Sequence, residues 1–274
     1  YYEVLVYDTV TNDLISSNIV GEKGGSLSIF PGSYHLVIYS FGTESTQLKD
    51  LHNRTKANAF TTDITASKGE IIKSKINESA REYVSKGYED DPIINEPDHL
   101  YTSNEMDVTI DAFIGGEQTV TIRTTVSTIL DVYSLEVLNI KGAENIEKVE
   151  AFVTGQILSN YFGRPERDSS PATVYVDMSV DVENSRLYTV FNTFGKLPGE
   201  QNQIFLDITV TDSGGGQYRY VYDVTDQFDD PDNEDHQLII DGEIIDIPKA
   251  EHGGGGFSPE VDEWEREDID VPLG

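Results

Sequence analysis

Apolar and polar residues alternate with a period of two on both sides of three consecutive glycines, Gly214 to Gly216. Such alternation is typical of half-buried β-strands, in which successive side chains point to opposite faces. The apolar residues that share a face before and after the glycines are Ile204, Leu206, Ile208, Val210, Tyr218, Tyr220, Tyr222 and Val224. The pattern therefore predicts two antiparallel strands joined by a glycine turn.

The same alternation recurs along the chain and predicts an all-β protein. Two turn signals predict further hairpins: Pro31-Gly32, which suits a type II turn, and Asp241-Gly242, which lies between two apolar runs. About seven or eight strands are expected after residue 117, enough for a β-sandwich. Residues 75–87 are the one stretch whose pattern allows a short helix.

The glycine turn is not a phosphate-binding loop. A phosphate loop leads into a helix, whose N-terminal amide groups and dipole hold the anion, whereas a strand pattern follows these glycines. No Gly-Lys-Ser or Gly-Lys-Thr follows, and the carboxylate of Asp212 would repel a phosphate. A nucleotide-binding function is therefore disfavoured.

The chain has 274 residues, which suits one large domain or two ordinary ones. Two is the better prediction, because the stretch Gly115 to Glu117 has the composition of a hinge. We therefore expect an N-terminal sandwich at residues 1–116 and a C-terminal sandwich at residues 117–252. A glycine-rich acidic tail, residues 253–274, follows.

Charge excludes several classes of partner. Fifty acidic residues oppose 19 basic ones, giving a formal net charge of −31. Nucleic acid and anionic lipid surfaces are bound through excess Lys and Arg, so neither is an expected partner. There is no cysteine, and hence no disulfide, thiolate zinc site or cysteine nucleophile. Because the sequence starts at Tyr1 inside a predicted strand, we expect a precursor with upstream residues.

No motif in the sequence indicates an enzyme. The five histidines lack the spacing of a metalloenzyme site, and no Gly-x-Ser-x-Gly nucleophile elbow occurs. A pair of carboxylates, as a glycosidase needs, cannot be recognised from the sequence of a chain that has fifty Asp and Glu residues. The predicted function is therefore non-enzymatic, and no cofactor is expected apart from the calcium ion considered next.

One acidic loop is a candidate for weak calcium binding. Asp230, Asp232 and Glu234 alternate as the oxygen ligands of calcium do. The glycine and the distant bidentate glutamate of an EF-hand loop are missing. The alternative is a turn whose carboxylates cap nearby backbone amides.

Several segments together resemble a known family: GSYHLVIYSF, PDHLYT, SNYFGR, VFNTFGKLPG, the stretch from Leu206 to Gly242, and GGGGFSPEVDEWE. The chain resembles the fimbrillin-like and fimbrial-anchor lipoproteins of Bacteroidetes, above all the minor-fimbrium anchor branch. The resemblance implies two tandem transthyretin-like, Greek-key β-sandwich domains. It also implies an upstream lipidated cysteine, display on the outer membrane, and pairing with fimbrillin-type pilin subunits by strand exchange.

The resemblance favours a structural subunit that anchors or caps a fimbria, and it leaves the choice among anchor, shaft and tip open. The alternative is a surface lipoprotein that binds glycan through exposed aromatic rings. That function would need Trp264 or surface tyrosines to form a platform. The tyrosines of the glycine hairpin are expected to face the core instead.

Overall fold

The structure is a computed structural model that describes residues 1–40, 42–68, 90–103, 106–112, 115, 119–199, 202–242 and 245–249. The described part contains eighteen strands: β1 Tyr2–Asp8, β2 Leu14–Val20, β3 Gly32–Ser40, β4 Gln47–Lys49, β5 Asn58–Phe60, β6 Ile93–Asn95, β7 Tyr101–Ser103, β8 Met106–Ile110, β9 Val126–Thr128, β10 Asp131–Val137, β11 Ile146–Ile157, β12 Ser159–Tyr161, β13 Pro171–Asp177, β14 Ser179–Asp181, β15 Arg186–Thr193, β16 Phe205–Asp212, β17 Gln217–Asp223 and β18 Gln237–Ile240. One turn of α-helix, α1 Thr225–Asp229, precedes β18. The predicted all-β fold is confirmed.

The strands form four sheets. The first has the order β2-β1-β3-β7-β9, with β8 also paired to β3; the second is β17-β16-β11-β13-β6, the third β14-β15-β10-β18, and the fourth β12-β5-β4. Most pairs are antiparallel, while β13 with β6 and β10 with β18 are parallel. The second and third sheets pack face to face, because Ala151 and Ile208 of one share a core with Leu135 and Phe191 of the other.

In the first sheet, strand β1 is buried on both faces. Leu5 and Tyr7 of β1 join the main core, and Val4 and Val6 join a second cluster with Tyr34 and Leu36. This explains the almost unbroken apolar run of β1, since a strand covered on both sides needs apolar residues at every position.

Strands from both sides of residue 116 share sheets. β6 pairs with β13, β5 with β12, and β7 with β9. The division into domains 1–116 and 117–252 remains a prediction. The predicted helix at residues 75–87 and the tail at 253–274 lie outside the described residues.

The hairpin predicted at Pro31-Gly32 is wrong. Only the second apolar run forms a strand, β3, and the residues before Gly32 pack against the second cluster without strand pairing. The reason is that both edges of β3 are occupied: Tyr34 to Leu36 pair with β1 on one side and with β8 on the other. No edge is left for a hairpin partner.

The hairpin predicted at Asp241-Gly242 is also wrong. β18 runs parallel to β10, and Asp246 then forms a parallel bridge with Lys141, further along the same direction. The chain therefore continues forward past Gly242, whose φ of 94° accommodates a bend rather than a reversal.

Candidate functional site

The strand β2 lies at the outer edge of the first sheet. On one side it pairs with β1, from Tyr2 opposite Val20 to Val6 opposite Ser16. On the other side the amide of Leu14 donates to the carbonyl of His52 at 2.8 Å. From Ile15 to Val20, no described residue pairs with that outer side. We call this stretch of unpaired backbone the β2 edge.

The β2 edge has few of the features that normally protect a sheet edge: a register shift opposite Val6 and Tyr7 places a bulge at Ile15, but the pairing with β1 is regular from Ser16 to Val20. Its sequence, LISSNIV, contains no charged residue and no proline, although a quarter of the chain is charged. Ile15 and Ile19 are 51% and 62% exposed. Natural proteins block edges with lysine, proline, bulges or covering loops, because an open edge invites pairing with another chain. The β2 edge is thus ready to receive a further strand.

Two other sheet edges in the described part are covered, those of β18 and β6. The side-chain amide of Gln227 mimics a strand beside β18, accepting from the amide of Ile239 at 2.7 Å and donating to its carbonyl at 3.1 Å. Beside β6, the amide of Ile64 donates to the carbonyl of Ile93 at 2.7 Å. β17 is as long as β2 but carries a buried arginine and ends on an aspartate. Compared with β18, β6 and β17, β2 combines a seven-residue length, an uncharged sequence and unpaired outer backbone.

The carboxylate of Glu3 holds β2 in place. It accepts hydrogen bonds from the hydroxyls of Ser17 on β2 and Tyr39 on β3. Burial, reinforced by Glu3, raises the pKa of Tyr39, so this hydroxyl stays protonated and remains a donor. The three strands are therefore joined by side chains as well as by the backbone ladder.

The glycine hairpin is confirmed: β16 and β17 pair in antiparallel register from Phe205 opposite Asp223 to Thr211 opposite Gln217. Asp212 accepts hydrogen bonds from the amides of Gly214 at 2.8 Å and Gly216 at 2.7 Å. The hydrogen bond from the Gly216 amide is the main cause that lowers the pKa of Asp212. The loop amides that could hold a phosphate are therefore already bound by Asp212. This capping role of Asp212 was not predicted from the sequence.

The tyrosines of β17 face the core as predicted. Tyr222 lies in the main core, and Tyr218 and Tyr220 pack against it. Trp264, the other residue considered for a sugar platform, lies outside the described residues.

The candidate calcium ligands Asp230, Asp232 and Glu234 are all exposed. A carboxylate oxygen of Asp230 accepts from the amide of Asp232 at 2.9 Å, the geometry of a capped turn. Within the described ranges, no group of three or more His, Asp or Glu side chains is arranged to hold a metal ion. Calcium binding by this loop stays a prediction.

A family model described as a domain of unknown function (DUF5119) matches residues 2–177. The match covers more than half of the chain and extends from β1 through β13. The chain belongs to this family. The β2 edge therefore lies inside the DUF5119 region. No curated protein matches the chain.

Three solved structures are similar to this DUF5119 chain. The first, a "putative adhesin" from Bacteroides ovatus ATCC 8483, has a TM-score of 0.61 and 17% identity, over 90% of this chain and 87% of that one. "Putative polysaccharide binding proteins (DUF1812)" from Bacteroides thetaiotaomicron give 0.46 and 11%, over 87% and 80%. The fimbrial anchor protein Mfa2 from Porphyromonas gingivalis gives 0.46 and 14%, over 82% and 74%. The likeness to the first confirms the β-sandwich fold that the resemblance implied.

In the described residues, no helix has the length and apolar character required to cross a membrane.

Proposed function

We propose that the chain is a non-enzymatic structural subunit of a cell-surface fimbria, which anchors or caps the polymer and serves cell adhesion. The observation that carries the proposal is the β2 edge, an uncharged strand with open backbone on its outer side. The shared fold with a protein described as an adhesin supports a function at the cell surface.

The β2 edge pairs with a strand of a fimbrillin-type pilin subunit. Backbone ladder bonds give such a pair its affinity, and alternating side chains set its register. Ile15, Ser17 and Ile19 alternate along the exposed face of β2 and would contact every second residue of the incoming strand. The two isoleucines supply the apolar area that the pairing buries.

The proposal includes a lipid anchor. A lipidated cysteine upstream of Tyr1 would hold the chain on the outer membrane, as the resemblance implies. Mass spectrometry of the native protein tests this part directly: a diacylated or triacylated N-terminal cysteine is expected, and an unmodified N-terminus would contradict it.

The pilin partner is tested by purifying the native full-length protein from its own cells in mild detergent and identifying co-purifying proteins by mass spectrometry. Three forms are compared: the wild type, the double variant Ile15→Lys/Ile19→Lys, and the control Val10→Lys. Val10 is 86% exposed but lies outside β2, so the control adds a lysine without changing the edge. Far-UV circular dichroism checks that all three fold.

The proposal predicts that a fimbrillin-type subunit co-purifies with the wild type and with Val10→Lys, and is lost from the double variant. Equal recovery with the double variant would refute pairing at β2. If no fimbrillin-type subunit accompanies the wild type, and glycan transporters or hydrolases do, the structural function itself is wrong and the glycan-binding alternative gains support.

A further inference from the structure

The first sheet has a second open edge, opposite β2. Its strand order, β2-β1-β3-β7-β9, places β9 last. β9 pairs with β7 along all three of its residues, and no described strand pairs with its outer side. The chain enters β9 through residues 119–125, whose backbone pairs with no other described residue. We call residues 119–128 the 119–128 edge.

The 119–128 edge has the sequence of a strand. Eight of its ten residues, TVTIRTTVST, are Thr, Val or Ile, which are branched at Cβ and favour extended backbone. The apolar residues Val120 and Ile122 alternate with threonines. All residues from 119 to 125 are exposed, with Val120 and Ile122 at 44% and 42%. This stretch is therefore suited to strand pairing but has no partner among the described residues.

The two edges of the first sheet carry almost no charge and no proline. Arg123 is the only charged residue of the 119–128 edge, and β2 has none. Edges without such protection are templates for pairing with another chain. The two edges are separated by β1, β3 and β7, which is roughly 19 Å at the usual spacing between strands. Pairing of one edge with the other therefore needs two molecules.

We propose that the 119–128 edge of one copy of the chain pairs with the β2 edge of a second copy. The first sheets of the two copies then form one continuous sheet, joined head to tail. Because such an interface uses a different patch on each partner, further copies can add at both ends. The inference shares the β2 edge with the proposed function but does not depend on a pilin partner, whose strand would compete for the same edge.

Exposed apolar side chains on both edges contribute to the pairing. Ile15 and Ile19 lie on one face of β2, and Val120 and Ile122 lie on one face of the 119–128 edge. When these faces are aligned, cross-strand contacts between them bury apolar surface that each single copy leaves in water. The backbone ladder then gains side-chain contacts that also fix its register.

Charge favours a second copy as the partner of the 119–128 edge. Arg123 is exposed and forms no ion pair with a described residue. On the β2 side, Asp13 directly precedes the strand and the carboxylate of Glu3 lies against Ser17. Opposite charges therefore meet at this interface. The net repulsion between two copies, each of charge −31, is screened beyond about 8 Å at physiological salt.

Sedimentation velocity of the purified 274-residue chain, with no pilin present, measures the association. The proline variant, Thr121→Pro/Ile122→Pro, removes the amide donors of two neighbouring residues, one of which faces outward in any register. The lysine variant, Ile15→Lys/Ile19→Lys, adds the charges that block a sheet edge. The matched control is Val190→Lys, which adds a lysine at a 64% exposed position of the third sheet.

The wild type and Val190→Lys should form larger species as the concentration rises. A dissociation constant in the micromolar range is expected, because one strand pair is a small interface. The proline variant and the lysine variant should each stay monomeric. Mixed in equal amounts, they should form a dimer and nothing larger, because each variant keeps one intact edge and the two altered edges end the assembly.

A wild type that stays monomeric at every concentration would overturn the proposal, and so would a mixture of the two variants that stays monomeric. Association that survives in the proline variant would indicate another interface, such as β2 with β2, and would also overturn it. If the proline variant fails to fold, hydrogen exchange of the wild type decides: a rise in concentration should protect the amides of residues 14–20 and 119–128, and unchanged exchange in either stretch would contradict the pairing. None of these failures affects the pilin pull-down, which does not require self-association.

Discussion

The buried ion pair between Asp207 and Arg219 allows a sharp test of how the second sheet is stabilised. Arg219 of β17 donates from Nε to both carboxylate oxygens of Asp207 on β16, at 2.8 and 3.0 Å, and its Nη2 adds a third hydrogen bond. The side chains are 4% and 1% exposed. Substitution of Arg219 by Met keeps most of the side-chain volume and leaves a buried carboxyl without its cation.

The cost of Arg219→Met follows from protonation. Burial raises the pKa of Asp207 and Arg219 opposes that rise, so removing Arg219 raises the pKa further. The folded variant then holds a neutral carboxyl, while the unfolded chain keeps the ordinary pKa of about 3.9. The variant therefore binds this proton more tightly than the wild type does, so its loss of stability is larger at pH 7 than at pH 5. At pH 7 the loss should be of the order of the roughly 3–5 kcal/mol typical of a broken buried pair.

Urea unfolding followed by far-UV circular dichroism, at both pH values, measures these losses. The sign is set by linkage: a raised carboxyl pKa means that the folded state binds the proton more tightly, so the variant approaches wild-type stability as the pH falls. The double variant Asp207→Leu/Arg219→Met, which removes both charges, should recover most of the loss at pH 7. An equal loss at pH 7 and pH 5 would show that protonation of the unpaired Asp207 carboxyl does not cause the destabilisation.

Two further predictions concern β15 and the glycine turn. Phe191→Ala should cost about 3–5 kcal/mol of stability because the ring is fully buried in the main core. Val190→Ala should change stability by less than about 0.5 kcal/mol, because Val190 lies on the same strand but is 64% exposed. Similar urea midpoints for the two variants would contradict this packing. Asp212→Asn should destabilise the protein at neutral pH, because hydrogen bonds lower the pKa of Asp212, and thermal melts of variant and wild type should converge as the pH falls through the range of that carboxyl. If the melting temperatures of variant and wild type still differ in acid, the charge of Asp212 is not what stabilises the turn.

Local pairing was predictable from the sequence, and long-range pairing was not. The glycine hairpin is predictable because apolar and polar residues alternate on both sides of the glycines. Its turn joins two strands, β16 and β17, that follow each other in the chain. The motifs at Pro31-Gly32 and Asp241-Gly242 are equally good turn signals. However, β3 pairs with β1 and β8, and β18 pairs with β10, so neither motif forms a hairpin. Such competition depends on strands far away in the chain, which a local pattern does not contain.

The candidate site shows the same limit. The absence of charge in LISSNIV was visible in the sequence, but only the sheet order reveals that this strand lies at an edge.

Photo-crosslinking in the native cells tests strand pairing at β2 most directly. A benzophenone amino acid is placed at Ile15, at Ile19 or, as the control, at Val10, and the crosslinked peptides are identified by mass spectrometry. Strand pairing at β2 predicts crosslinks from positions 15 and 19 to one extended segment of a fimbrillin-type subunit, shifted along that segment by about four residues, and none from position 10. Crosslinks that are absent from positions 15 and 19, or as frequent from position 10, would contradict it.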